Sequence, residues 1–138
     1  MADHTHRILR NWRKKVTSTS YSVLWTEAAS TFFGAGTVVG SDKWVAYGMI
    51  EGVLARPSTG GDGQRLPFLL YKAPGAATPN LLVGTLQNMI GTSSQFIQVS
   101  MSGSNFQVEG RLHADNGMTG ILSVTLDLHL VGGTGPVS

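Results

Sequence analysis

The chain has 138 residues, of which ten are Lys or Arg and eight are Asp or Glu, and it contains no cysteine. This length fits one domain with a single core, and the lack of cysteine excludes disulfides, thiolate metal sites and cysteine nucleophiles. Only 13% of the residues are charged while 18 are glycine, a composition typical of strands and tight turns rather than of solvated helices.

The hydropathy pattern argues against a membrane protein. No apolar run is long enough to span a bilayer, and the first residues lack the hydrophobic segment of a secretory signal. We therefore expect a soluble protein, made in a cytosol, with no membrane partner. Because its polar surface is mostly uncharged, a partner can cover that surface at a small desolvation cost, and we expect extensive contact between subunits.

The basic residues gather at the start of the chain. Residues 1–15 carry five of them against one aspartate, whereas the rest of the chain is slightly acidic. We predict a basic N-terminal arm or short helix over residues 1–15, with Ile8 and Trp12 on one side of a helix that covers residues 5–15. The residues of this arm that we expect to contact nucleic acid, without sequence preference, or a neighbouring subunit are Arg7, Arg10, Trp12, Arg13, Lys14 and Lys15.

From Val16 onward the pattern predicts strands separated by glycine- and proline-rich segments. The predicted strands of the first two thirds are Val16–Trp25, Phe32–Gly40, Lys43–Arg56 and Leu66–Lys72. Gly48 and Gly52 in the third of these strands indicate a bend or the close approach of another backbone. We predict a flexible polar loop at 57–65 and a second loop at 73–80. Pro67 predicts either an edge position for its strand or the start of a strand. Residues 81–90 fit neither the strand period nor the helix period.

The last third of the chain has the clearest pattern. Between positions 121 and 131, apolar side chains alternate with Ser123, Thr125, Asp127 and His129; the apolar ones are Leu122, Val124, Leu126, Leu128 and Leu130. Setting Met101 opposite Phe106 and Leu112 opposite Leu122 keeps the apolar faces together, which predicts a three-stranded meander over residues 95–131. The expected fold is all-β, a single antiparallel sandwich or flattened barrel of about eight strands over residues 16–131, followed by a glycine-rich tail at 132–138.

The polar face of the predicted meander is the best candidate for a site. Strand pairing would bring together Gln98, Gln107, Glu109, Arg111, Asp127 and His129. Planar amides and charged groups on a rigid sheet suit a sugar or a peptide, but the same face can be solvated or can contact a subunit. No nucleophile, base and orienting acid come together in this pattern, so we expect no enzyme activity, no cofactor and no metal site.

The sequence favours a non-enzymatic, self-assembling structural protein. Low charge, strands rich in Ser, Thr and Gly, a basic start and a glycine-rich end are typical of a virus or bacteriophage particle component, such as a coat, cement or tail subunit. Its expected partners are further copies of itself and other virion proteins, with non-specific nucleic acid contact through the arm. The expected location is the virion, assembled in the host cytoplasm, and the alternative is a soluble cytoplasmic protein.

Two alternative functions remain open at this point. One is a carbohydrate-binding, lectin-like module that uses the polar face of the meander or the loop at 57–65. The other is a small-ligand barrel with a cavity lined by Phe32, Phe33, Trp44, Phe68 and Tyr71.

Overall fold

The computed structural model describes residues 5–28, 44–56, 60–72, 79–91, 94–112 and 119–131. All regular structure in these ranges is β-strand, and it forms nine strands. The strands are β1 (Thr5–Val16), β2 (Ser22–Ala28), β3 (Trp44–Arg56), β4 (Gly60–Lys72), β5 (Asn80–Val83), β6 (Gln87–Ile90), β7 (Ile97–Ser102), β8 (Asn105–Gly110) and β9 (Gly120–Val131). The predicted strand at 32–40 and the predicted tail at 132–138 lie outside the described residues.

The strands form two antiparallel sheets that pack face to face. One sheet has six strands in the order β1-β9-β3-β4-β5, with β6 also paired to β4, and the other has three strands in the order β2-β8-β7. The all-β prediction is confirmed. Of its two alternatives the sandwich is correct, because neither sheet closes into a barrel. The described part of the chain has no helix of the length and hydropathy needed to cross a membrane.

Strand β9 supplies the centre of the core. It lies between β1 and β3, and its alternation is as predicted: Leu122, Val124, Leu126 and Leu128 are fully buried, whereas the intervening polar side chains are only half-buried on the outer face. In a strand that has one buried face and one exposed face, apolar and polar residues alternate in the sequence with a period of two. The apolar face of β9 packs toward the three-stranded sheet, where Phe96, Phe106 and Val108 are buried in the same cluster.

The predicted N-terminal helix is wrong, because residues 5–16 form β1. This strand pairs with β9 along its whole length, from Thr5 opposite Val131 to Val16 opposite Gly120. Ile8, Trp12 and Val16 are spaced by four residues, a spacing that puts side chains on one side of a helix and also on one face of a strand. The sequence spacing alone did not separate the two, and pairing with β9 decided in favour of the strand.

The predicted three-stranded meander is only partly correct. Strands β7 and β8 form the expected hairpin, with Met101 opposite Phe106. However, β8 pairs with β2 on its other side, and β9 belongs to the opposite sheet, so Leu112 does not pair with Leu122. Alternation shows which face of a strand is dry but not which strand lies beside it, and two strands that face each other across a core show the same pattern as two paired strands.

The region around β4 also differs from the prediction. Residues 60–65 are not a loop, because they pair with residues 51–56 of β3. Pro67 is not on an edge strand, since β4 lies between β3 and the short strands β5 and β6. Proline fits there because residues 63–65 pair with β6 and residues 68–71 with β5, and Pro67 lies in the interval between them. Residues 81–90 lack a clear period because they contain parts of two short strands.

Glycine at two positions of β3 makes room for side chains that lie against this strand. The ring of Phe68, on the paired strand β4, lies over Gly48, and the Ile97 side chain, from the other sheet, lies over Gly52. A close approach is therefore present at both glycines, but it is that of a side chain and not of another backbone as predicted. Phe68 itself is buried and stacks on Phe106 with ring centroids 5.2 Å apart. Its ring thus fills space between the two sheets.

One buried polar side chain joins the two sheets. Gln64 on β4 is only 1% exposed. Its Nε2 donates to Asn88 Oδ1 at 2.9 Å and to the Ser94 carbonyl at 3.0 Å, and its Oε1 accepts from the Phe96 backbone N–H at 2.9 Å. These bonds connect β4 to β6 and to the segment that leads into β7, which suits the requirement that buried polar groups be hydrogen-bonded.

Candidate functional site

The outer face of the six-stranded sheet carries a groove of about 430 Å³. It runs across β1, β9, β3 and β4, and we call it the outer groove. The residues that line it are Arg7, Leu9, Tyr47, Met49, Glu51, Arg65, Thr125, Asp127 and His129. The strand register explains why these side chains meet: His129 lies between Arg7 and Tyr47 in one cross-strand row, and Asp127 lies between Leu9 and Met49 in the next row.

An ion pair fixes the end of the outer groove nearest β1. Arg7 donates two hydrogen bonds to Asp127, from Nε at 2.9 Å and from Nη2 at 2.8 Å, and the His129 Nε2 atom lies 3.2 Å from the same carboxylate. The hydrogen bonds from Arg7 hold the pKa of Asp127 below its usual range, and they raise the pKa of Arg7. Asp127 therefore stays ionised and accepts hydrogen bonds in a fixed geometry.

A second ion pair lies across the groove. Arg65 on β4 contacts Glu51 on β3, with Nε and Nη2 at 2.7 and 2.6 Å from Glu51 Oε2. Each of the two carboxylates of the groove thus has its own arginine. The site offers planar donors and acceptors with little net charge.

Beside the first ion pair, in the same cross-strand row as Arg7 and His129, lies an exposed aromatic ring. Tyr47 is 56% exposed and its ring tilts against the His129 ring, with centroids 5.4 Å apart. Leu9 and Met49 add apolar surface beside it. An exposed ring with fixed polar groups around it can stack on the apolar face of a neutral ring compound and hydrogen-bond to its edges.

The predicted site residues separate into three places. Asp127 and His129 lie in the outer groove. Gln98, Gln107 and Glu109 lie on β7 and β8 in the other sheet, where the Ser100 hydroxyl donates to Glu109 at 2.6 Å and Gln98 Nε2 donates to it at 3.0 Å. The predicted single cluster is therefore wrong, because β9 pairs with β1 and β3 and not with β8.

Arg111 is the third case, and its surroundings indicate a structural role. It follows β8, and its Nε and Nη1 donate to the Gln95 and Thr19 carbonyls at 2.9 and 3.3 Å. Its guanidinium lies over the Tyr21 ring, 4.4 Å from the ring centroid. Burial raises the pKa of the Tyr21 hydroxyl. Because its donors are used in these contacts, Arg111 joins chain segments rather than a ligand site.

The six contact residues predicted in the arm all lie on β1, whereas residues 1–4 of the arm lie outside the described residues. Arg7 is part of the outer groove, whereas Trp12 packs on Trp25 of β2 with ring centroids 5.5 Å apart. The remaining four are exposed along the edge of the sheet: Arg10, Arg13, Lys14 and Lys15. Among the described side chains, no three histidine or carboxylate groups come together as a metal site.

The sequence reasoning missed Tyr47, Glu51 and Arg65. A signal for the first two was present, since they share the parity opposite to Gly48 and Gly52 and so had to face outward if the glycines faced inward. The sequence did not show that Tyr47, Glu51 and Arg65 lie in one groove with Asp127, because this depends on β9 lying beside β3.

No protein-family model matches this sequence, and no curated protein matches it. Among solved structures, the fold is similar to part of the tailspike protein of Acinetobacter baumannii phage AM24, with a TM-score of 0.51 and 10% sequence identity, over 96% of this chain and 27% of that chain. The tailspike protein of Acinetobacter phage vB_ApiP_P1 has a TM-score of 0.49 and 12% identity, over 94% of this chain and 22% of that chain. This chain thus spans 27% or less of the length of these two proteins, and at such identities the likeness is one of fold.

Proposed function

We propose that this chain is a non-enzymatic, self-assembling structural component of a bacteriophage particle, and that its place is in the tail. The observation that carries the proposal is the likeness of nearly the whole chain to a segment of a phage tailspike protein. Low charge and uncharged polar strands, the features that favoured a virion protein in the sequence, support the same function. Among the coat, cement and tail alternatives, this likeness favours the tail.

Exposed apolar side chains support a particular surface for the proposed contact between copies of the chain. Five of them cluster at the β5 and β6 side of the six-stranded sheet, namely Leu69, Leu82, Val83, Met89 and Ile90. Leu82 and Ile90 are 58% and 62% exposed, and an exposed apolar patch of this kind on a sheet edge marks an interaction surface. We call it the apolar edge. It carries no charged residue on β5 or β6, so two copies can approach there without like-charge repulsion, and a second copy is the occupant we propose.

Light scattering after size-exclusion chromatography tests this assembly. We expect a defined homo-oligomer for the purified chain, and a smaller species for Leu82→Lys with Ile90→Lys. Leu9→Lys is the matched control, since Leu9 is 52% exposed on the distant strand β1, and it should leave the mass unchanged. A wild-type chain that stays monomeric at all concentrations would overturn the self-assembly proposal.

The absence of enzyme activity is also part of the proposal. A general acid needs a raised carboxyl pKa, but Arg7 lowers that of Asp127, and Arg65 occupies Glu51. Turnover of bacterial surface polysaccharides by the purified chain, measured as new reducing ends, should not exceed the buffer blank. Turnover that is lost in Asp127→Asn would contradict this part of the proposal.

A carbohydrate-binding function is the second candidate, and the outer groove favours it. Tyr47 offers a stacking surface, and the two ion pairs hold planar groups around it that suit hydroxyl groups. A glycan array should then show binding that Tyr47→Ala, Asp127→Ala and His129→Ala each reduce. Glu109→Ala, on the outer face of the other sheet, is the control that should bind normally. If no glycan binds, or if all four variants behave alike, this candidate fails while the structural proposal still stands.

A further inference from the structure

Strand β1 forms the outermost strand of the six-stranded sheet among the described strands. It is 12 residues long and pairs with β9 on one side without a register shift. No described strand pairs with its other side. Its backbone there presents a row of N–H and C=O groups, which is the template that an added strand uses.

The same strand carries half of the basic residues of the chain. Arg7 is engaged by Asp127, but the exposed side chains Arg10, Arg13, Lys14 and Lys15 make no ion pair in the described part of the structure. Their positions alternate between the two faces of the sheet, with Arg10 and Lys14 on one face and Arg13 and Lys15 on the other. An incoming strand would therefore meet cations on both of its faces.

A second copy of this chain does not fit that edge. Antiparallel pairing of two β1 strands sets cations opposite cations, which is destabilising. No other segment of this chain supplies the complement, since its two nearest acidic residues, Glu109 and Asp115, are six positions apart. The occupant must come from a different protein.

We propose that β1 is a docking edge for an acidic extended segment of another protein, which adds as a strand beside β1. Backbone hydrogen bonds supply the pairing, and carboxylates on both faces of the added strand, opposite each basic position of β1, meet the four cations. A nucleic acid strand fits the edge less well, because its backbone does not match a ladder of amide donors and acceptors and Trp12, the aromatic residue of β1, is packed on Trp25 rather than available for stacking. This inference goes beyond the proposed tail function and does not depend on it.

The test uses the full chain and a synthetic twelve-residue peptide with glutamate at positions 2, 3, 4 and 7 and threonine or valine elsewhere. Paired antiparallel to residues 5–16, these glutamates lie opposite Lys15, Lys14, Arg13 and Arg10. We expect saturable binding by fluorescence anisotropy, slower hydrogen exchange at residues 5–16, and weaker binding at high salt. The quadruple variant R10Q/R13Q/K14Q/K15Q should bind at least about tenfold more weakly, because each opposite-charge pair across strands contributes a modest increment and four are lost.

Two controls separate strand addition from simple charge attraction. A peptide N-methylated at alternate residues keeps its charge but cannot complete the ladder, and it should not bind. The reversed variant K14E/K15E should lose the acidic peptide and gain affinity for its lysine counterpart, a result that a misfolded variant could not give. Equal binding of the methylated peptide, no binding of the acidic peptide, or preferential binding of a single-stranded oligothymidine would each overturn the proposal.

Discussion

Replacing Gly48 with alanine tests how closely the Phe68 ring of β4 packs on the neighbouring strand β3. A β-carbon at this position would lie 2.8 and 2.9 Å from the Cε1 and Cε2 atoms of Phe68, and Phe68 cannot turn away freely because it is buried and stacked on Phe106. Overpacking of this kind costs about 1–3 kcal/mol, and the stiffer unfolded chain returns about 0.5 kcal/mol of that. The entropy of unfolding of 138 residues is about 290 cal/mol/K, so the net loss of about 0.5–2.5 kcal/mol lowers Tm by roughly 2–9 °C.

Urea unfolding and calorimetry of four variants, namely Gly48→Ala, Gly63→Ala, Phe68→Leu and the double variant G48A/F68L, check this estimate. Gly63→Ala is the matched control, because its β-carbon would lie 3.6 Å from Ile90, an ordinary contact distance, and it should change stability by less than about 0.5 kcal/mol. Phe68→Leu should make room for the new methyl group, so the double variant G48A/F68L should be more stable than the sum of the single changes predicts. If Gly48→Ala is as stable as Gly63→Ala, the close packing of Phe68 on β3 is wrong.

Three further changes address the ion pair, the buried amide and the aromatic contact. Asp127→Asn should lower the free energy of unfolding by less than about 1 kcal/mol at neutral pH, because the pair with Arg7 is partly exposed. Since Arg7 lowers the pKa of Asp127 in the folded state, this contribution is full above the unfolded aspartate pKa of about 3.9 and is lost as pH falls through the lower folded pKa. The urea stabilities of the two proteins should therefore converge in acid, and a difference that persists there would contradict the ion pair. Gln64→Leu removes the side-chain hydrogen bonds to the backbone and should lower the free energy of unfolding, measured in urea, by at least about 2 kcal/mol. A loss no larger than that of a surface substitution would show that Gln64 does not join the two sheets. Trp12→Phe should remove the coupled tryptophan signal from the circular dichroism spectrum and cost about 0.5–1.5 kcal/mol, and an unchanged spectrum would show that Trp12 and Trp25 are not in contact.

Local features of the fold could be predicted because they follow from single strands and short turns. The dry face of β9 and the hairpin that sets Met101 opposite Phe106 each depend on residues a few positions apart. The helix at 5–15 failed for a physical reason, since a spacing of four between Ile8 and Trp12 satisfies both periods and only the distant strand β9 selects one of them.

The choice of neighbouring strands could not be predicted, and it decides the candidate site. Asp127 and His129 were correctly placed on a polar face, but their expected neighbours Gln107 and Glu109 lie on the opposite sheet. Their actual neighbour Arg7 lies 120 positions away. Pairing over such separations depends on the packing of the whole core, and one sequence carries no direct record of it.

Strand β9 comes last among the described strands, yet it occupies the interior of the six-stranded sheet between the first and third strands. During synthesis on the ribosome, β1 and β3 therefore remain unpaired with β9 until Val131 has emerged. The sheet can then form only late and cooperatively, when β9 pairs with the much earlier strands β1 and β3. Fragments that stop before Gly120 should stay aggregation-prone in translation, whereas a permuted gene that links Val131 to Thr5 would let β9 and β1 leave the ribosome as neighbours.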